Sequence, residues 1–311
     1  MDFSLVITQV IILFFIMFLG YVLRSKHIIT DEGIKNFSSL IFYVTMPAMI
    51  IASLGNTAST KLSDLYDIAL ATFLTYGIII GMAPVLTKLV KAPDGSKGLY
   101  KFMVIFGNVG FIGFPMTIAL LGEEALFMAA IFNIPFNLLL YTLGVYLILS
   151  DKNKDHKMDW SIKQFMNPGI IATVIGIISF LTGWKLPSIV LNISNVLGDI
   201  TTPLAMIVVG ASLFGVKIST IFKNYRIFAL SIIRMILFPL GVGFVLSSIG
   251  LSGFGLWVPI VLSGMPIGTN TVIMARQYDG NTLEASEAVF LSTLMMIVTI
   301  PILIMIVGLY S

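Results

Sequence analysis

Two short stretches of the chain place glycine, proline and asparagine inside otherwise apolar segments. The first runs from Gly107 to Pro115 and reads GNVGFIGFP; the second runs from Ser263 to Asn270 and reads SGMPIGTN. Glycine and proline interrupt a helix, so each stretch leaves backbone N–H and C=O groups without helical partners. At membrane depth such groups are tolerated only where protein or a water-filled cavity satisfies them. The two stretches, called the first and second breaks below, therefore predict a polar site inside a membrane protein.

The chemistry that these breaks suit is the binding of an anion. New half-helices are predicted to begin near Pro115 and near Asn270, with their N-termini directed at the middle of the membrane. Free N–H groups and the positive end of a helix dipole favour an anion. Asn108 and Asn270 can each donate and accept, so they could hold a carboxylate or only satisfy the interrupted backbone. The predicted substrate-binding residues of the breaks are Asn108, Gly110, Gly113, Pro115, Pro266, Gly268, Thr269 and Asn270.

Three polar residues outside the breaks are further candidates for substrate binding. Arg234 lies in an apolar run, where exposure to lipid costs about 2.5–3.5 kcal/mol, so it is expected to face protein or a cavity. It could neutralise a carboxylate or close a cytoplasmic gate; alternatively, its long stem lets the charge reach the inner membrane surface. Asn133 and Asn137 are one helical turn apart and share a face. They could line the cavity or only bond neighbouring helices.

The sequence holds no cluster of residues that suits catalysis or a metal ion. It has no cysteine, and both histidines, His27 and His156, lie in predicted loops. Neither break contains an acid, and the other acids within apolar runs, Asp199 and Glu287, lie close enough to helix ends to be structural. We therefore predict no catalytic residue, no metal site and no cofactor. A proton or sodium ion remains an open possibility as a coupling partner.

The composition predicts an all-α polytopic membrane protein. Of 311 residues, 58% are hydrophobic and 11% are charged, whereas soluble domains carry about 25% charged residues. The net charge of +3 does not indicate a nucleic-acid partner, because the basic residues lie in short loops rather than on one stripe. A helix crosses the hydrocarbon core with about 20 apolar residues. Ten runs are predicted to do so: 3–23, 36–55, 66–90, 100–121, 124–149, 165–183, 189–214, 227–248, 255–275 and 283–309.

The distribution of basic residues predicts the orientation of these spans. The first run lacks a basic start and a cleavage pattern, so we expect a retained helix rather than a signal peptide. With the N-terminus outside, fifteen basic residues fall in inside loops and two, Lys61 and Lys185, in outside loops. Because cytoplasmic loops are enriched in Lys and Arg, both termini are predicted to be extracytoplasmic, in a multi-pass protein of the cell membrane.

The charged stretch 150–164 divides the ten spans into two units of five, 1–149 and 165–311. An odd number of spans makes the second unit start from the opposite side of the membrane, so the chain is predicted to be an inverted repeat with 150–164 as a cytoplasmic linker. Two proline pairs support the duplication. The number of residues from Pro47 to Pro203 is nearly the same as the number from Pro115 to Pro266.

Several of these motifs together resemble the auxin efflux carrier family, which includes plant PIN carriers and bacterial malonate- or malate-type permeases. The matching residues are Phe42 to Pro47, Asn108 to Pro115, Thr202 to Met206, Gly210 to Leu213, Arg234 with Pro239, Met265 and Pro266 with Asn270, and Ala285 to Pro301. The resemblance covers nearly the whole chain. It rests on the order and spacing of the motifs rather than on any single one.

The resemblance implies the fold of sodium/proton antiporters and bile-acid transporters, with spans 4 and 9 crossing at their breaks around the substrate site. A scaffold (1–60 and 165–215) would form a homodimer, while a transport domain (61–149 and 216–311) moves against it in an elevator-like cycle. The implied substrate is a small organic anion, a mono- or dicarboxylate or an auxin-like weak acid, that crosses the lipid membrane.

Other functional classes are less well supported by the sequence. A sodium- or proton-coupled carrier of another small solute is the main alternative. A membrane receptor would not require two inverted breaks. An intramembrane enzyme would require paired acids, a Ser–His pair or an HExxH motif within the spans, and the sequence offers none.

Overall fold

The structure, a computed structural model, describes residues 3–54, 61–151, 168–215 and 224–308. Within these ranges the chain is helical, and its one extended pairing is an isolated bridge between the two breaks. The α-helices are α1 (Phe3–Ser25), α2 (Asp31–Leu40), α3 (Met46–Ser53), α4 (Leu62–Leu89), α5 (Lys97–Ile105), α6 (Phe114–Leu121), α7 (Glu124–Leu139), α8 (Val145–Leu149), α9 (Pro168–Thr182), α10 (Ser188–Gly198), α11 (Thr201–Ser212), α12 (Tyr225–Ile232), α13 (Phe238–Ser248), α14 (Gly253–Ser263), α15 (Asn270–Gln277) and α16 (Thr282–Gly308).

Seven helical segments of the described chain are long and apolar enough to cross a membrane. They are Ile7–Ser25, Asp31–Ser53, Leu62–Leu89, Glu124–Leu149, Ser188–Ser212, Tyr225–Ser248 and Thr282–Leu303. They agree with seven of the ten predicted spans. The other three predicted spans, the fourth, sixth and ninth, contain the shorter apolar helices Val109–Leu121, Pro168–Thr182 and Gly253–Ser263. The fourth and ninth are shorter because the breaks divide them, which is the interruption that the sequence predicts.

Wide π-helical turns precede three of the prolines. Segments Ile41–Thr45, Val109–Gly113 and Ile233–Leu237 are each followed two residues later by a proline. Proline has no N–H to donate and its ring crowds the preceding turn, so one extra residue in that turn relieves the conflict. A fourth π turn, Leu140–Gly144, joins α7 to α8. Sequence reasoning did not predict these turns, because it treated each span as a regular helix.

One group of helices packs through glycines that permit close backbone approach. Helix α1 lies along α11, where a β-carbon on Gly20 would overlap the carbonyl oxygen of Ile207 and one on Gly210 would overlap that of Met17. Small residues at such crossings are typical of membrane helices, since they allow close van der Waals contact. Helix α3 packs against α9 and α10.

The second group of helices surrounds the breaks. Helix α14 packs against α4, α7 and α13; α5 packs against α4 and α8; and α16 packs against α12 and α15. Helix α16 starts directly after Asn281, whose side-chain oxygen accepts the N–H of Glu284 at 3.2 Å. The N-terminus of α5 is held by Asp151, whose carboxylate accepts from Gly98 and Leu99 at 2.6 and 2.8 Å. Most of the predicted linker, residues 152–164 with His156, lies outside the described residues.

Candidate functional site

The two breaks pair with each other in the middle of the helical bundle. Gly107 and Ile267 form an isolated antiparallel bridge. The N–H of Asn108 donates to the carbonyl of Pro266 at 2.8 Å, and the N–H of Gly268 donates to that of Phe106 at 3.0 Å. The backbone groups that each break frees from its own helix are thus partly satisfied by the other break, as buried backbone groups must be. The two breaks form a single structural unit, called the crossing below.

The first break continues directly into a helix. Residues Val109–Gly113 form a π turn that leads into α6, so helical structure resumes earlier than near Pro115, where the sequence placed it. The carbonyl of Asn108 accepts from the N–H groups of Ile112 and Gly113 at 3.3 and 2.9 Å. Apart from its pairing across the crossing, this break therefore satisfies its backbone groups locally.

The second break depends on its neighbours. The N–H of Ile267 donates to the hydroxyl of Ser292 in α16 at 3.0 Å. Helix α15 begins at Asn270, where the sequence predicts it. A β-carbon on Gly268 would come within 2.9 Å of the carbonyl oxygen of Gly107, so only glycine fits this approach without a shift.

Arg234 lies behind the crossing and binds both interrupted helices. Its side chain is 1% exposed. Its Nε donates to the carbonyls of Met103 and Val104 at 2.9 and 3.1 Å, and its Nη1 donates to the carbonyl of Met265. These carbonyls lie at the C-terminal ends of α5 and α14, where a cation is favoured by the helix dipole. The side chain therefore does not extend to the membrane surface, which was one of the three alternatives considered for it.

A cavity of about 30 Å³ opens on the other side of the crossing. A water molecule needs roughly 10–15 Å³ on this measure, so the space accommodates about two waters and is too small for an organic anion. It is lined by Phe42, Met46, Ile50, Gly107, Asn108, Val109, Gly110, Phe111, Phe114, Ala130, Asn133, Ile134, Phe136, Asn137, Gly169, Ile170, Thr173 and Asn270. No ionisable side chain is among these residues, so its polar wall consists of amides, a hydroxyl and backbone.

Polar atoms on this wall have unused hydrogen-bonding capacity. Asn108 is 4% exposed and its Nδ2 has no hydrogen-bond partner; the Oδ1 of Asn133 has none either. Asn137 uses its Nδ2 to donate to the carbonyl of Asn133 at 3.2 Å. A buried amide without a partner is unfavourable by about 1–3 kcal/mol. A ligand that accepts from Asn108 would recover this energy.

Residues from α3, α9 and the π turn at Ile41–Thr45, most of them apolar, form the opposite wall. Phe42 contacts Phe111 with ring centroids 5.8 Å apart, and Met46 faces Gly110. Sequence reasoning noted the stretch from Phe42 to Pro47 as part of the family resemblance and did not assign it to the site. Its π turn is the local feature that carries these side chains to the cavity.

The structure brings about half of the predicted site residues to the cavity. Those that line it are Asn108, Gly110, Asn133, Asn137 and Asn270; those that do not are Gly113, Pro115, Arg234, Pro266, Gly268 and Thr269. Pro266 and Gly268 instead pair the breaks, and their contact with a substrate stays a prediction. Among the described residues, no three His, Cys, Asp or Glu side chains are grouped as a metal ion would require.

The two acids considered in the sequence lie away from this cavity. Asp199 lines a second cavity of about 130 Å³ together with Glu123 and Asn195. Glu287 is buried near the start of α16.

Comparison with known proteins gives matches over nearly the whole chain. A family model described as "Membrane transport protein" matches residues 5–304. An uncharacterised transporter of Methanocaldococcus jannaschii is 27% identical over 291 residues, which cover 91% of this chain and 93% of that protein. The uncharacterised transporter YfdV of Escherichia coli is 21% identical over 95% of this chain and 96% of its own. A Rhizobium meliloti protein named "Putative malonate transporter" is 22% identical over 94% of this chain and 93% of its own.

Proposed function

Because the chain belongs to the membrane transport protein family, we propose that it carries small organic anions across the cell membrane. The family and its transporter-named relatives identify a multi-pass membrane transporter rather than an enzyme. The proposal goes further in naming mono- and dicarboxylates, including auxin-like weak acids, as substrates, and the cavity at the crossing as their site.

The observation that carries the proposal is that Nδ2 of Asn108, on the cavity wall directly before the π turn at Val109–Gly113, has no hydrogen-bond partner. The cavity also meets the starts of two half-helices, at Val109 and at Asn270. Helix N-termini in broken membrane helices offer free N–H groups and a positive field to an anionic substrate. The name of the R. meliloti relative, which refers to malonate, supports a carboxylate.

An alternating-access movement accounts for the small size of the cavity. One wall, which holds the four asparagine amides, comes from the breaks and from α7, whereas the other comes from α3, α9 and the π turn at Ile41–Thr45. If the transport domain (61–149 and 216–311) moves against the scaffold (1–60 and 165–215), these walls separate and a carboxylate can enter. Contacts such as Phe42 with Phe111 would then open and close once per cycle.

The same proposal includes the inverted repeat of ten spans, extracytoplasmic termini and a scaffold-mediated homodimer. The orientation has a direct test, because the chain has no cysteine. A cysteine introduced at His156 in the linker is expected to escape an impermeant thiol reagent added to intact cells, and to react after permeabilisation. Labelling from outside intact cells would contradict the proposed orientation.

A thermal-shift screen on the purified protein tests the substrate class. A ligand that binds the folded state raises the melting temperature by mass action. We expect malonate or lactate to raise it and the neutral analogues malonamide and lactamide, which have nearly the same shape, to leave it unchanged. Uptake of the stabilising anion into proteoliposomes, with and without proton and sodium gradients, then identifies coupling. Stabilisation by neutral or cationic solutes alone would refute the proposal.

A further inference from the structure

Four helix ends meet at the crossing, two C-terminal and two N-terminal, and their surroundings differ. The C-terminal ends belong to α5 and α14, and the N-terminal ends belong to the π turn at Val109–Gly113 and to α15. A helix end carries the equivalent of about half an elementary charge, negative at the C-terminus and positive at the N-terminus. Left alone, the two negative and two positive ends would nearly cancel, and the crossing would have no preference for an anion.

Arg234 changes this balance because its side chain donates to the negative ends. Its hydrogen bonds go to the carbonyls of Met103, Val104 and Met265, all at the ends of α5 and α14. Its Nη2 lies so close to Gly107 that a β-carbon there would overlap it. Gly107 itself lines the cavity, so the guanidinium lies directly behind the cavity wall.

No acid offsets this charge in the part of the chain that the structure describes. The ion pairs found there join Arg24 to Asp31 and Lys97 to Asp94, both away from the crossing. The cavity wall contributes no acid. Among the described residues, the other buried charged side chain is that of Glu287. It lies in the second turn of α16 and does not form a hydrogen bond with Arg234.

We propose that Arg234 sets the charge of the substrate site: it neutralises the carbonyl ends of both interrupted helices and leaves one positive charge for a carboxylate to balance. This inference rests on the proposed function. Arg234 acts here as a positioning residue that stays behind the wall, while the unpartnered Nδ2 of Asn108 on the cavity side contacts the anion.

The charge of the moving domain at the crossing then depends on which substrate, if any, is bound. It is positive when the site is empty, neutral with a monocarboxylate and negative with a dicarboxylate. A charged domain that crosses the membrane is biased by the membrane potential, by up to about 50-fold per elementary charge at 100 mV. When labelled substrate exchanges for unlabelled substrate, the domain crosses the membrane only with substrate bound. The exchange rate therefore reports the charge of the substrate-bound domain and not that of the substrate-free domain.

The test measures exchange in proteoliposomes with equal substrate on both sides, at zero and at about −100 mV set by a potassium gradient and valinomycin. The probes are lactate, which is monovalent, and malonate, which is divalent near pH 8. We expect the potential to change lactate exchange by less than about 1.5-fold and malonate exchange by at least about 3-fold, within the limit for one charge. In Arg234→Gln, lactate exchange should acquire the dependence that malonate shows in the unmodified protein.

Both probes are measured on the unmodified protein, so a variant that fails to fold does not weaken the test. Lactate exchange that follows the potential as strongly as malonate exchange would overturn the inference, and so would malonate exchange that ignores the potential. If neither anion is bound or exchanged while another solute is transported, the proposed function is the part that fails.

Discussion

The two breaks solve the same backbone problem with different partners. The first satisfies its carbonyl at Asn108 through its own next turn, by accepting from Ile112 and Gly113. The second draws on other helices, since Ile267 donates to Ser292 and the carbonyl of Met265 accepts from Arg234. The two breaks, which both contain glycine and proline, therefore differ in what holds them open. We expect the second break to respond more strongly to changes in distant residues than the first.

The largest effect is expected from Arg234→Met, which keeps the length of the side chain and removes its donors. Three buried carbonyls would lose a charged partner, at a cost of about 3 kcal/mol or more. This corresponds to a fall in melting temperature of roughly 5–10 °C. The matched control is Arg226→Met in α12, a half-buried residue whose guanidinium stacks on Tyr225. Equal melting temperatures for the two variants would contradict the role of Arg234.

A smaller effect is expected from Gly107→Ala, at the point where the first break meets Arg234. The new methyl group would overlap Nη2 and displace the guanidinium, and overpacking of this kind costs about 1–3 kcal/mol. Gly110→Ala in the same break is the control, because its β-carbon would lie 3.4 Å from the flexible end of Met46. Thermal denaturation should separate the two variants, and a Gly107→Ala protein as stable as Gly110→Ala would indicate that Arg234 can move freely.

Ser292→Ala tests the dependence of the second break on its neighbours. The N–H of Ile267 would lose its acceptor, and a buried donor without a partner costs about 1–3 kcal/mol. Ser263→Ala, also buried, removes only a bond from the hydroxyl to Ile260 in its own helix. The carbonyl of Ile260 still accepts from the N–H of Gly264, so the change should cost about 0.5 kcal/mol or less. If both variants melt at the same temperature, the second break is as self-sufficient as the first.

Much of the fold was predictable because the length of an apolar run and the presence of helix-breaking residues are local properties of the sequence. The long helices follow from runs of about 20 apolar residues, and the breaks follow from glycine and proline within two of the shorter spans. The start of α15 at Asn270 is local as well, and it is confirmed. The resemblance to auxin efflux carriers is likewise confirmed by the family match.

The features that sequence reasoning missed depend on contacts between distant residues. The bonds from Arg234 to Met103 and Val104 join residues more than a hundred positions apart. Nothing in the apolar run around Arg234 distinguishes a side chain that binds carbonyls from one that faces a substrate. Phe42 and Met46 were missed because their place on the cavity wall depends on a π turn, whose extra residue shifts the faces of the helix.

The central claim, that the cavity at the crossing binds the anion, is tested most directly by the affinity of Asn108→Ala for the carboxylate found in the thermal-shift screen. Because Nδ2 of Asn108 has no hydrogen-bond partner in the protein, its removal should leave the melting temperature nearly unchanged. Loss of its bond to a charged carboxylate should raise Kd about 10-fold or more. The control is Asn195→Ala in the second cavity, which should bind as the unmodified protein does. An unchanged Kd in Asn108→Ala, or an equal loss in Asn195→Ala, would contradict the account.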